Sequence, residues 1–283
     1  NAVAVTPNGQ QVISACLDST LKVWNLATGE ELFSLNGHIY WVNAVAVTPN
    51  GQQVISACLD STLKVWNLAT GEEQFTLNGH SSWVNAVAVT PNGQQVISAS
   101  DDNTLKVWNL ATGEEQFTLN GHSYSVNAVA VTPNGQQVIS ASDDNTLKVW
   151  NLATGEELFT LNGHSDLVKA VAVTPNGQQV ISASLDNTLK VWNLATGEEL
   201  FTLNGHRHLV KAVAVTPNGQ QVISASYDNT LKVWNLATGE LIATFTGEYP
   251  INCCAVAPDG MTIVAGDSSG KVHFLRLENK REE

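Results

Sequence analysis

Basic residues are scarce in this chain: 13 lysines and arginines stand against 26 aspartates and glutamates among 283 residues, for a formal net charge of −13. Gripping nucleic acid requires lysines and arginines clustered against phosphates, so this balance argues against a nucleic-acid partner. Six of the basic residues, Lys22, Lys64, Lys106, Lys148, Lys190 and Lys232, recur at a fixed interval and read as solvated strand positions, not as a basic stripe. Long apolar runs are missing as well. No stretch nears the roughly 18 consecutive apolar residues of a membrane span, and the first residues lack a basic-then-apolar signal pattern, so no membrane partner and a cytoplasmic location are expected. Cysteine is rare. Neither the spacing nor the neighbours of Cys16, Cys58, Cys253 and Cys254 match a zinc or redox motif, so they are expected to be buried thiols in a reducing compartment, with no metal and no cofactor. Charged residues make up only 14% of the chain while hydrophobic residues reach 43% with 21 glycines, a composition that excludes disorder and suits many strands joined by tight turns.

What the chain does contain is repetition. Trp24, Trp66, Trp108, Trp150, Trp192 and Trp234 are spaced by 42 residues, and a period of about 40 to 45 residues signals four-stranded propeller blades. In the third copy Val84 to Val89 is a β-branched run (strand a), and Pro91-Asn92-Gly93 after it suggests a type I′ hairpin turn. Val96 to Ala99 (strand b) leads through the polar Ser100-Asp101-Asp102-Asn103 to Thr104–Trp108 (strand c), and Phe117 to Leu119 forms an outer strand d. Such a unit leaves no room for a helix and must bury its faces against neighbouring copies. Pro7, Pro49, Pro91, Pro133, Pro175, Pro217 and Pro258 each mark an a–b turn, so the expected fold is all-β, a single seven-bladed β-propeller. Its blades fall at about 1–36, 42–78, 84–120, 126–162, 168–204, 210–246 and 251–277, with a tail at 278–283. The last copy diverges, with Glu248, Ser269 and Leu275 where the others have His, Asp and Trp, and it stops after strand c. An unfilled outer edge is an aggregation liability, so the natural polypeptide is expected to extend upstream and supply the missing strand.

The copies, each with Gly-His, then Ser, then Asp, then Trp-Asn in place of Trp-Asp, resemble WD40 repeats along essentially the whole chain. They are most similar to the highly uniform WD40 arrays of bacteria, cyanobacteria included, which are often attached to NTPase, kinase or protease-like signalling modules. The resemblance implies a buried tetrad per blade, and five full sets match. They are His38, Ser56, Asp60 and Trp66; His80, Ser98, Asp102 and Trp108; His122, Ser140, Asp144 and Trp150; His164, Ser182, Asp186 and Trp192; and His206, Ser224, Asp228 and Trp234. The first copy keeps only Ser14, Asp18 and Trp24. Serine, histidine and aspartate together invite a hydrolase reading. Five identical centres are an improbable catalytic design, however, and each indole N–H supplies a donor that closes a structural chain of bonds. No second histidine lies at ligand spacing to make the His and Asp of a copy a metal site.

The a–b turn (Pro-Asn-Gly-Gln-Gln) and the c–d turn (Ala-Thr-Gly-Glu) are the same in the first five copies, whereas most differences fall in the loop after Gly-His, at the entry to strand a and beside the tetrad Asp. By the resemblance, the side chains three and five residues after the His and the one before the Asp surround the channel mouth on the top face. Around the expected ring these are Asn1 and Leu17; Trp41, Asn43 and Leu59; Trp83, Asn85 and Asp101; Ser125, Asn127 and Asp143; Leu167, Lys169 and Leu185; Leu209, Lys211 and Tyr227; and Pro250, Asn252 and Ser268. Trp41 and Trp83 are read as partner anchors, because Ser125 in the next copy shows that the fold needs no aromatic there. Asp101 and Asp143 are expected to form an acidic sector facing Lys169 and Lys211 across the ring, suited to a peptide with a cation at one end. The sequence therefore points to a non-enzymatic scaffold or sensor, a monomeric ring within a larger signalling protein that binds a protein or peptide on its top face. One rival is self-association through the open edge at Lys271 to Arg276; another, with little support, is an enzyme with a channel site.

Overall fold

The computed structural model describes residues 2–16 and 18–278. Its regular elements are all strands, and no helix among the described residues is long and apolar enough to cross a membrane. Among the described residues six antiparallel sheets each hold four strands in the order a–b–c–d, and a seventh holds three, giving a seven-bladed β-propeller. Blade 3 illustrates the unit: strand a is Val84–Val89, b is Gln95–Ser100, c is Thr104–Asn109 and d is Glu115–Asn120. Contacts group the chain into two compact units, Asn1–Ser142 with Lys148–Leu158, and Asp143–Leu147 with Phe159–Glu283.

Within each unit, consecutive blades bury their faces against each other. Along strand b of blade 3 successive side chains point to opposite faces. Val96 therefore joins Ile55, Ala57, Leu63 and Val65 of blade 2, while Ile97 and Ala99 join Val126, Val138 and Trp150 of blade 4. The same seams recur between blades 1 and 2, between 5 and 6, and between 6 and 7. A strand covered on both faces loses the apolar–polar alternation of a half-solvated sheet and becomes a short apolar run, as Val-Ile-Ser-Ala does here. Each fully buried aliphatic side chain contributes about 1.5–3 kcal/mol, so a blade without neighbours would forfeit most of its stabilisation.

The a–b connection is not a type I′ turn. The Gly93 N–H donates to the Thr90 carbonyl at 2.8 Å, so the central residues are Pro91 and Asn92, and the left-handed residue is Gly93 (φ 69°), just past them. Proline holds φ near −65° and so favours a type I turn, and the Thr90 hydroxyl locks the corner by accepting from Gln95 N–H at 3.0 Å and donating to Asn92 Oδ1 at 2.7 Å. The Asn of Trp-Asn shapes the c–d turn: Asn109 Oδ1 accepts from the N–H groups of Ala111 (2.9 Å) and Thr112 (3.1 Å).

Apart from Lys22, the repeated lysines are largely withdrawn from solvent. Lys106 is buried, and its ammonium meets Glu115 of strand d at 2.8 Å and Thr118 Oγ1 at 2.8 Å. Equivalent Lys–Glu pairs hold Lys22, Lys64, Lys148 and Lys190, while Lys232 meets Thr244. Of the four thiols only Cys58 is fully buried. In the last blade, strand c (Val272–Arg276) is the outermost among the described residues, and Val272 and Phe274 are 58% and 74% exposed, whereas their blade 6 equivalents Leu231 and Val233 are at 1% and 2%. The expected tail beyond residue 278 lies outside the described residues.

Gly79, just before the blade 3 histidine, sits where a Cβ would lie 3.0 Å from the Trp108 ring and 2.9 Å from Glu115 Oε2. Gly79→Ala is expected to destabilise the protein by about 1–3 kcal/mol through overpacking, read as a lower denaturation midpoint at unchanged slope.

Candidate functional site

The loop-bearing end of each blade is built around a histidine bonded at both ring nitrogens. In blade 3 His80 Nδ1–H donates to Asp102 Oδ2 at 2.7 Å, and His80 Nε2 lies 2.7 Å from Ser98 Oγ, which accepts the Trp108 indole N–H at 2.9 Å. The same four groups meet in blades 2, 5 and 6, through His38, Ser56, Asp60 and Trp66, through His164, Ser182, Asp186 and Trp192, and through His206, Ser224, Asp228 and Trp234. In blade 4 His122 meets Ser140 at 2.7 Å and Trp150 donates to Ser140 at 2.9 Å. In blade 1 the Trp24 indole donates to Ser14. In blades 2 to 6 the serines and histidines are buried, and each serine hydroxyl is enclosed between tryptophan and histidine. A hydrolytic nucleophile needs an open position for the substrate carbonyl beside it, and this trio has none.

A fifth residue, which the sequence reading missed, completes the network. Asp102 Oδ1 accepts from both the N–H and the hydroxyl of Thr104, and Thr62, Thr146, Thr188 and Thr230 repeat this. The signal was a Thr two residues after every tetrad Asp. Burial alone would raise the Asp102 carboxyl, but hydrogen bonds from His80 and Thr104 outweigh it and hold the group far below the usual carboxylate range. Asp60 and Asp186 shift likewise, and Asp228 is held at about 2. The serine one step beyond the tetrad serine also has work to do: Ser100 Oγ–H donates to the Ser82 carbonyl at 3.1 Å and accepts from Asp102 N–H at 3.1 Å, tying the d–a loop to the b–c turn.

The positions expected to face a partner are placed by two backbone devices. In strand a the pairing skips a residue: Ala86 pairs with Ala99 and Val84 with Ser100, so Asn85 is the extra residue of a β-bulge. Asn43, Asn127, Lys169, Lys211 and Asn252 are bulge residues in the same way. A bulge re-aims a side chain and is a recurrent neighbour of functional sites. The residue before each tetrad Asp then hangs from the d–a loop: the N–H groups of Leu59, Asp101, Leu185 and Tyr227 donate to the carbonyls of Trp41, Trp83, Leu167 and Leu209 at 2.9–3.1 Å, and Ser268 to that of Pro250 at 2.9 Å. Asn1 and Leu17 lie outside the described residues.

Trp41 and Trp83 are 52% and 53% exposed even though their carbonyls are fixed. Ile39, Tyr40 and Tyr124, absent from the sequence-based set, are more exposed still; the signal was variation in the loop after Gly-His. Asp143 does not face Lys169 across a gap but touches it. Asp143 accepts from Lys169 at 2.6 Å, and Asp101 accepts from Asn85 Nδ2 at 2.6 Å. A lysine amine reaches the preceding blade's turn, which a residue-by-residue reading of separate copies does not show. Lys211 is part-buried, and burial, then the positive charge of Lys169, lowers its pKa against the opposing pull of Asp143. Cys58 is buried as expected, and its sulfur lies in one group with His38 and Asp60, which its sequence neighbours did not suggest.

A family model described as WD domain, G-beta repeat matches residues 1–25, 29–67 and 71–109, and one described as IFT122 first beta-propeller matches 132–283, more than half of the chain. The chain belongs to the WD40-repeat β-propellers. No curated protein matches it. WD40 propellers are in general protein-interaction scaffolds and non-enzymatic. The WD40 tetrads here are the rigid parts from which the variable loops are hung.

The tetrad carboxylates make stability depend on pH. Their folded pKa values lie below the roughly 3.9 of an unfolded aspartate, so their stabilisation is complete above that value and is lost as pH falls through the folded one. Tm is expected to drop steeply between about pH 4 and about pH 2, the folded value of Asp228. Asp102→Asn lowers Tm at pH 7 and flattens that drop, as calorimetry across the range will show.

Proposed function

We propose that this chain is a non-enzymatic binding module that engages a protein or peptide through the loop-bearing ends of its blades, as the interaction part of a larger signalling protein. The observation that supports this best is in blades 2 and 3. Ile39, Tyr40, Trp41 and Trp83 stand exposed on loops whose backbones are pinned by hydrogen bonds to the b–c turns. Rigid, half-exposed aromatics on fixed backbone lose little entropy on binding and bury large areas, which is why such residues dominate interface energetics. The bulged Asn43 and Asn85 supply polar groups beside them, and Asn85 is already oriented by Asp101 and by the Val126 carbonyl. Blades 5 and 6, with the b–c turn of blade 4, offer a different surface of Asp143, Leu167, Lys169, Leu185, Leu209, Lys211 and Tyr227, in which Lys169 and Asp143 neutralise one another.

Partners captured on the immobilised protein are to be compared with Trp41→Ala and Trp83→Ala variants. Each substitution is expected to weaken binding by roughly tenfold or more, equivalent to about 1.4 kcal/mol or above, without moving Tm. Unchanged affinity for every captured partner in both variants would refute this assignment.

A second reading rests on Phe274 and Val272, which expose an apolar strand edge on the last blade that no strand among the described residues covers. If this edge pairs with another copy, light scattering will show mass rising with concentration, and Phe274→Lys will abolish the rise. A constant monomer mass would dismiss the reading.

A further inference from the structure

Blade 2 differs from blades 3 to 6 at one buried position beside its tetrad. Where Ser100, Ser142, Ser184 and Ser226 stand in those blades, blade 2 has Cys58. The serines do the structural work: Ser100, Ser142, Ser184 and Ser226 each donate to a d–a loop carbonyl at 2.9–3.1 Å. Cys58 makes the same pair of contacts, to the Tyr40 carbonyl at 3.1 Å and from Asp60 N–H at 3.4 Å. A hydroxyl therefore suffices for the fold, and the thiol adds only its own chemistry.

That chemistry has company. The ligand atoms of His38, Cys58 and Asp60 all lie within 4.8 Å of one another. No other such trio of histidine, thiol and carboxylate occurs among the described residues. Cys16 repeats the thiol in blade 1, where no described histidine precedes it. The Asp60 carboxylate is also less committed than its equivalents. Its Oδ2 receives the Ile39 N–H at 3.4 Å, against 3.0, 3.1 and 2.8 Å for Ser81, Ser165 and Arg207 in blades 3, 5 and 6.

We propose that His38 Nδ1, Cys58 Sγ and an Asp60 carboxylate oxygen form a single binding site for a borderline-soft divalent cation of the zinc class. Thiolate, imidazole and carboxylate are the donor types that such ions take. His38 Nδ1 and Asp60 Oδ2 are already 2.9 Å apart, close to the roughly 3.3 Å between neighbouring donors around a tetrahedral ion with bonds of about 2.0 Å. Uptake expels one proton, from the thiol. The Nδ1 proton is replaced by the cation, and the imidazole stays neutral by carrying its proton on Nε2 and donating it to Ser56 Oγ. The Ser56 hydroxyl turns towards the Lys64 carbonyl, 3.5 Å away, and still accepts the Trp66 indole N–H. A ligating histidine is oriented by a bond from its other nitrogen, and Ser56 provides that partner ready-made. The loop that presents Ile39, Tyr40 and Trp41 follows directly on His38 and is hydrogen-bonded to Cys58, Leu59 and Asp60, so occupancy bears directly on that surface.

The test is titration of the purified protein with Cd2+ alone, read by the ultraviolet thiolate-to-cadmium band and by competition with Zn2+. One ion per chain is expected, with the band retained when Cys16, Cys253 and Cys254 are replaced by serine and abolished in Cys58→Ser. Because serine occupies this position in four other blades, Cys58→Ser is expected to keep its fold, checked by circular dichroism. Ser100→Cys, made in the otherwise unaltered chain, rebuilds the trio in blade 3 and raises the stoichiometry to two. No band in the unaltered protein, a band that survives Cys58→Ser, or a Ser100→Cys chain that still saturates at one ion would each overturn the proposal.

Discussion

A buried imidazole bonded at both ring nitrogens is the interaction on which this molecule depends. It takes a tryptophan from the middle of an inter-blade seam, a serine from the strand beside it, an aspartate from a turn and a histidine from a loop, and fixes them in one chain of bonds. Each such bond contributes only about 1 kcal/mol net, but a member removed leaves its partners buried and unsatisfied at about 1–3 kcal/mol each. No described buried side-chain polar atom lacks a partner, so the seams are apolar without a polar defect. The last blade solves the problem differently. Asp267 occupies the place of Ser226 in strand b, and His273 reaches it from strand c at 2.9 Å, giving a histidine–carboxylate pair of other origin.

Because that chain of bonds anchors both the d–a loop and the b–c turn, sequence variation between them changes the surface without loosening it. The turns at the opposite strand ends have no such freedom. Thr90, Pro91, Asn92 and Gly93 each supply a specific dihedral or hydrogen bond, and Asn109 does so for the c–d turn, so the copies agree there. A single repeat thus separates a part that must be the same from a part that is free to differ.

The strands, their order and the tetrad members were legible in the sequence because a 42-residue period multiplies each weak signal by the number of copies. Features that depend on how elements meet were less legible. The bulge at Asn85 leaves no mark in Val-Asn-Ala-Val-Ala-Val, since a skipped pairing is a property of two strands together. The type I turn was missed because Asn-Gly alone suggests a hairpin, while the proline before it had already fixed which residues are central. Pairs between neighbouring elements, Lys106 with Glu115 and Lys169 with Asp143, likewise depend on register and packing that composition does not carry. The grouping of His38, Cys58 and Asp60 spans 22 residues and emerges only once the loop folds over the turn.

One set of tryptophans holds the blades and another is displayed by them. Hydrogen exchange of individual indole N–H groups, followed by nitrogen-resolved NMR on the intact chain, tests this directly. The indoles of Trp66, Trp108, Trp150, Trp192 and Trp234, buried and donating to serine, are expected to exchange orders of magnitude more slowly than those of Trp41 and Trp83. Protection of the Trp41 and Trp83 indoles equal to that of the buried five would contradict the account.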